Sequence, residues 1–156
     1  MTFTVYGKPQ GKARPRITKR GHAYTPQQTV EYEERIKQAF IKSKEKGYFN
    51  NEPIGMLILA SYPVPKSMSK KDRELIEKGC LTPTKKPDID NIAKVVCDAL
   101  NGVAYSDDKQ IVMLTIAKKY SEEPKITVTL YEVQNETQKQ VKKPNQACKE
   151  HLGTTS

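Results

Sequence analysis

The segment from Ile54 to Tyr62 constrains the fold more than any other. It is a near-continuous apolar, β-rich run that ends at Pro63 and Pro65. Strict alternation would mark a strand with one wet face, whereas a continuous run predicts a strand covered on both faces at the centre of a sheet. The rest of the chain must then supply flanking strands and covering helices. At 156 residues it is long enough for one domain burying roughly 68–70% of its unfolded surface, and too short for two ordinary ones.

The flanking pattern fills that requirement. Thr2–Tyr6 alternates and stops at Gly7, which predicts a first strand. From Gly7 to Thr25, glycines and prolines are interleaved with cations, which predicts an irregular loop. A helix follows, with Thr25 as N-cap, Pro26 at its first position and Val30, Ile36, Ala39 and Phe40 on its buried stripe; it runs to about Lys44 and is closed by Gly47. Ser69–Gly79 predicts a short, charged surface helix. Asp90–Leu100 predicts a docked amphipathic helix with Ile92, Val96, Ala99 and Leu100 on one face and Gly102 as its stop. Ile111–Lys118 and Ile126–Glu132 predict two strands joined as an antiparallel hairpin. The expected architecture is a single small α/β domain over residues 1–133, a mixed four-stranded sheet packed with two main helices in the order β-α-β-α-β-β. Residues 134–156 are rich in Gln, Asn, Lys, Thr and Ser, with Val141 and Leu152 as exceptions, and are expected to form a disordered polar tail. No internal repeat is present.

Apolar residues make up 36% and charged residues 29%, with no tryptophan, the composition of a soluble protein with a large polar surface. The longest apolar run, Met56–Ala60, falls far short of the ~20 residues that span a bilayer, and the start Met1-Thr2-Phe3-Thr4 has no leader pattern. A cytoplasmic location and no membrane partner are expected. Cys80, Cys97 and Cys148 lack C-x-x-C spacing, so reduced thiols are expected in place of a disulfide or zinc site, with Cys97 in the core. The net charge is +9, and Lys8, Lys12, Arg14, Arg16, Lys19 and Arg20 fall in a stretch with no acidic residue before Glu31. Nucleic acid is the leading partner for such a stretch, because neutralised phosphates release counterions. Net charge by itself is equally accounted for by solubility.

Asp88 and Asp90 are candidates for binding a divalent cation, since Mg²⁺ takes oxygen ligands and is often held by one or two carboxylates. Two apart on an extended stretch they would project to one side, and Pro87 is expected to keep Lys86 extended. Asp90 also suits an N-cap, where the helix dipole favours negative charge, so its presence has a purely structural account. Asp88 has none of that kind. Asp107 and Asp108 follow a serine in ordinary turn chemistry, yet they could return to the helix N-terminus and place three carboxylates together. Lys94 lies four residues from both Asp90 and Asp98. It either forms i,i+4 ion pairs worth ~0.2–0.5 kcal/mol each or stabilises charge developing on a scissile phosphate. Asn91 either caps the helix or orients an aspartate. His22 and His151 are remote from the acidic motifs, and Tyr24 either stacks on a base or packs beneath its loop, with packing favoured.

Three motifs, Lys86-Pro87-Asp88-Ile89-Asp90-Asn91-Ile92-Ala93-Lys94, Asp98-Ala99-Leu100-Asn101-Gly102 and Tyr105-Ser106-Asp107-Asp108-Lys109-Gln110-Ile111, together resemble the RusA family of Holliday-junction resolvases. Gly7-Lys8-Pro9 and Gly11-Lys12-Ala13-Arg14-Pro15-Arg16 resemble its phage and prophage members. The resemblance implies a homodimeric α/β endodeoxyribonuclease that requires Mg²⁺, with Mn²⁺ as a substitute, and makes paired symmetric nicks in a four-way junction during recombination and repair. It implies Asp88, Asp90 and Asp108 as metal ligands, Asp107 as an auxiliary acid and Lys94 as the catalytic lysine. Lys8, Lys12, Arg14, Arg16, Lys19, Arg20 and Lys86 are the expected DNA contacts, and no small-molecule cofactor is expected. The chain departs from compact members in its longer Pro63–Lys86 loop and in its tail, which keeps other branched DNA open as the substrate. Two rivals remain. One is a non-catalytic basic DNA-binding protein whose aspartates are caps and turns. The other reads Asp88-Ile89-Asp90 as the metal motif of a nucleotide-sugar transferase, against which stands the lack of a glycine-rich βαβ half.

Overall fold

The computed structural model describes residues 1–135. In chain order these form β1 (Thr2–Tyr6), β2 (Arg16–Ile17), β3 (Ala23–Tyr24), α1 (Gln27–Lys42), β4 (Ile54–Pro63), α2 (Lys70–Glu77), α3 (Ile89–Leu100), a 3-10 turn (Asp108–Gln110), β5 (Ile111–Ser121) and β6 (Lys125–Glu132). The predicted tail lies outside the described residues except for Gln134 and Asn135.

The result is a mixed α/β domain with a four-stranded sheet in the order β1-β6-β4-β5. β4 takes an inner position, as its apolar run predicts. Its neighbours differ from the expectation, because β5 and β6 do not pair with each other. β5 runs parallel to β4, from Ile54↔Ile111 to Pro63↔Ser121, while β6 is antiparallel to β4 on its other side. Strands ~4.8 Å apart leave a gap of about 10 Å across β4, which residues 122–124 bridge. The most apolar strand thereby gains two neighbours, which a local hairpin would have denied it. β1 completes the sheet antiparallel to β6.

Register decides which side chains share a face. Phe3, Val5, Ile54, Met56, Ile58, Ala60, Tyr62, Ile126, Val128 and Leu130 point to one face and are at most 5% exposed. Both long helices cover that face. α1 contributes Thr29, Tyr32, Ile36 and Phe40, and α3 contributes Ile92, Val95, Val96, Ala99 and Leu100. Burying each large aliphatic or aromatic side chain here is worth roughly 1.5–3 kcal/mol, so this single layer supplies most of the hydrophobic stabilisation. α1 begins after Pro26, one residue later than predicted, ends at Lys42, and leaves the predicted stripe residue Val30 49% exposed. Thr29 and Tyr32 take its place. The shift in phase follows from the loop before α1, which docks onto Thr29.

The opposite face of the sheet contradicts the expectation of two-sided cover. Leu57, Met113 and Tyr131 are 43%, 52% and 43% exposed; Met113 and Tyr131 flank Gly55 of β4 on either side, and Leu57 lies two residues further along β4 on the same face. Gly55 permits this arrangement, because a Cβ there would run into the Tyr131 ring.

Candidate active site

The N-terminus of α3 presents the first motif. The helix begins at Ile89, so Asp88 and not Asp90 holds the N-cap position, and Asp90 sits in the first turn. Asp88 accepts no capping bond from its own helix, which leaves its carboxylate available to another ligand. Because Ile89 is already helical, the extended-strand reason for a shared side is lost. Positions two apart on a helix diverge by about 200° around its axis. Lys86 lies in a bend, with a cis bond to Pro87, in place of the extended conformation expected. Pro87 is held from below, where the Tyr62 hydroxyl donates to its carbonyl at 3.2 Å. Burial raises the Tyr62 pKa, and the neighbouring charge of Asp88 raises it further.

The basic loop is docked onto this helix end. The Lys12 N–H donates to the Asn91 carbonyl at 2.8 Å, and the Ala13 N–H donates to Thr29 Oγ1 at 3.4 Å. The Lys12 ammonium pairs with Glu33 of α1 and, at 3.0 Å, with Asp98 of α3. Burial opposes that charge, but the two carboxylates outweigh it and hold the Lys12 pKa above the ordinary lysine value. Lys12, one of the expected DNA contacts, clasps the loop to both helices. Gly11 makes the docking possible, because a Cβ there would stand 2.8 Å from both the Asn91 and Pro87 side chains. Asn91 therefore acts through its backbone carbonyl, and among the described residues its side chain neither caps α3 nor hydrogen-bonds an aspartate. Glu33, Asp98 and Tyr62 had no sequence signal as a unit, since each acts on a residue distant in the chain.

The second acidic pair sits at the other end of α3. Asp107 accepts the Lys109 N–H at 3.0 Å while Gln110 Oε1 accepts the Asp107 N–H at 3.0 Å, a capping box on the 3-10 turn. The Lys109 N–H, with help from Asp108, holds the Asp107 pKa below the usual carboxylate range. Its turn chemistry is thus realised. Asp108 lies near Cys97 and Tyr105. Burial pushes the Cys97 thiol up to about 11, and the charges of Asp108 and Asp98 reinforce the rise. Cys97 comes nine positions after Asp88, about 13 Å further along the helix axis. Among the described residues, no three His, Cys, Asp or Glu side chains gather closely enough to hold a metal ion. Ligands ~2.1 Å from one Mg²⁺ lie within about 4 Å of each other. Even two ions 4 Å apart reach only about 8 Å. The donor chemistry suits a hard divalent cation, but one chain does not bring Asp88 and Asp90 to Asp108. Lys94 is exposed on α3 and, among the described residues, forms neither predicted ion pair.

Between the docked loop and the α3 N-terminus lies a cleft of about 440 Å³, lined by Lys8, Gln10, Gln28, Lys86, Asp88 and Asn91 among others. A larger groove of about 770 Å³ runs between β1 and α1 but contains none of the motif carboxylates. Arg14, Arg16, Lys19 and Arg20 continue from its rim, all exposed.

Residues 6–131 match the model of a family described as endodeoxyribonuclease RusA. The chain belongs to the RusA endodeoxyribonuclease family. The match runs from the last residue of β1 to Tyr131 in β6 and so includes both acidic pairs, the basic loop and Lys94. The chain is also 40% identical over 136 residues to YqaN, an uncharacterized protein of Bacillus subtilis (strain 168), covering 84% of this chain and 95% of that one. Family membership removes the nucleotide-sugar transferase reading and makes DNA the polymer to be cut. No helix among the described residues is long and apolar enough to cross a membrane.

Proposed function

We propose that this protein is a Mg²⁺-dependent, structure-specific endodeoxyribonuclease that acts as a homodimer in the cytoplasm and resolves four-way DNA junctions by paired nicks during recombination and repair, in a phage or prophage setting. The observation that carries the reading is the docking of the basic loop onto the α3 N-terminus. It sets Lys8 and Lys86 beside the uncapped Asp88 in one cleft, so that a phosphate drawn in by the cations meets a carboxylate. Lys8, Arg14, Arg16, Lys19, Arg20 and Lys86 position the backbone without reading bases. Lys94 stabilises charge developing on the phosphate, and Asp107 orients its neighbour Asp108.

The homodimer reading rests on the uncovered sheet face, where Leu57, Met113 and Tyr131 form an apolar patch that runs inward from the edge strand β5. A twofold axis also suits a twofold junction. It further offers a way to complete the ligand set, with one copy's Asp88 and Asp90 meeting the other copy's Asp108. When bound, Mg²⁺ or Mn²⁺ would activate water and stabilise the leaving oxygen. The separation of the carboxylates within one chain is what a non-catalytic DNA-binding protein would also show, although membership of a nuclease family weighs against that reading.

The test is cleavage of a synthetic four-way junction and a matched linear duplex, with and without Mg²⁺, by the wild type and by Asp90→Asn. The wild type is expected to cut the junction only with metal, and the variant to bind it while losing at least about 100-fold in rate. Equal rates for the two proteins would remove Asp90 from the site, and metal-independent binding without cleavage would establish the non-catalytic reading.

A further inference from the structure

The hairpin β2–β3 buries no side chain of its own, although it is well formed. Arg16 pairs with Tyr24 and Ile17 with Ala23. Its tip is closed by Thr18 N–H to the His22 carbonyl at 2.9 Å, Gly21 N–H to the Thr18 carbonyl at 2.9 Å, and His22 N–H to Thr18 Oγ1 at 3.1 Å. Every residue from Arg14 to Tyr24 is exposed. Ile17 is 74% exposed and Tyr24 47%, so the expectation that Tyr24 packs beneath its loop is overturned. An isolated two-stranded ribbon is marginal in water, and placing two large apolar side chains on one gains nothing for the folded chain alone. The cations around them, Arg14, Arg16, Lys19 and Arg20, with no acidic residue on the ribbon, select a polyanion as the occupant.

We infer that this hairpin is a branch-point wedge: it enters the open centre of branched DNA and lays Ile17 and Tyr24 against unstacked base pairs, while the flanking cations hold the phosphates. The inference rests on the junction-cutting reading of the cleft. Register supports it. Residues paired across the ribbon share a face, so Ile17 with Ala23 presents one apolar side and Tyr24 with Arg16 presents the other. A four-way junction exposes terminal base pairs on both sides of its centre, and a ribbon with an apolar contact on each face can cover both. Apolar side chains inserted at base steps are an established way to hold a distorted duplex, and aromatic stacking on bases is tolerant of sequence. Branch selectivity would then reside in the hairpin and general affinity in the cations.

The test uses full-length protein without Mg²⁺, so that binding is read separately from cutting. A four-way junction carries 2-aminopurine either at the branch point or mid-arm, and a linear duplex serves as control. The wild type is expected to raise the branch-point fluorescence and leave the mid-arm signal unchanged. Ile17→Ala and Tyr24→Ala are each expected to lose that rise and to weaken junction binding about tenfold, with duplex binding and melting temperature unchanged; Tyr24→Phe is expected to behave as the wild type. An undiminished rise in both alanine variants overturns the wedge. So does a parallel loss on junction and duplex, which would place the ribbon in an ordinary major groove, or a shift to monomer in sedimentation, which would make it a contact between copies. If the wild type binds and cuts junctions with no fluorescence rise, the wedge fails while the nuclease reading stands. If it neither binds nor cuts them, both fall.

Discussion

Asp90→Asn and Asp108→Asn are each expected to be inactive alone and to regain activity when paired in one dimer. Asp88 and Asp90 stand at the start of α3, while Asp108 lies near Cys97, about 13 Å further along the axis than Asp88 and about 10 Å further than Asp90. A shared ion tolerates about 4 Å between ligand oxygens and a two-ion site about 8 Å. If the site is assembled from two copies, a mixed dimer places both substitutions in one of its two sites and leaves the other intact. Such dimers can be isolated by co-expressing the two variants with different tags and purifying through both. Per dimer, the expected nicking rate on a four-way junction is about half that of the wild type, against roughly 100-fold losses in the parents. The product should be a singly nicked junction without paired cuts. If each chain instead assembles its own site, every site in the mixed dimer has one broken ligand. A mixed dimer no faster than either parent would therefore refute the shared site.

Lys12→Met should strand Glu33 and Asp98 and loosen the basic loop. With the Lys12 and Glu33 side chains 21% and 18% exposed and Asp98 42%, solvent screening limits the cost to about 1–2 kcal/mol, readable as a lowered denaturation midpoint together with weaker junction binding. A variant with unchanged stability and binding would show that the clasp holds nothing. The Cys97 thiol rises from 9.0 to about 11 on folding, so the unfolded chain ionises first. Its contribution to stability is whole below pH 9 and is lost as the pH climbs toward 11. Cys97→Ala should flatten that part of the stability-against-pH curve, and an unaltered slope would contradict the assigned burial.

Much of this protein is legible in its sequence, and the legible part is local. The apolar run of β4, the stripe of Ile92, Val96, Ala99 and Leu100, and the serine-capped α2 are written in neighbouring residues, because propensity, periodicity and capping act over a few positions. The family motifs were legible for the same reason. What the tertiary structure alone decided depends on meetings between distant segments. The two C-terminal strands read as a hairpin, yet β4 inserts between them because the most apolar strand gains most from two neighbours. Lys12 read as one more cation for DNA, and its pairing with Glu33 and Asp98 has no sign in the sequence. Asp88, Asp90 and Asp108 read as one cluster, yet a rigid helix whose length is set by backbone geometry holds the first two away from the third. Pattern along the chain specifies which elements form and which chemistry is present, whereas the distances between them follow only from how the elements pack.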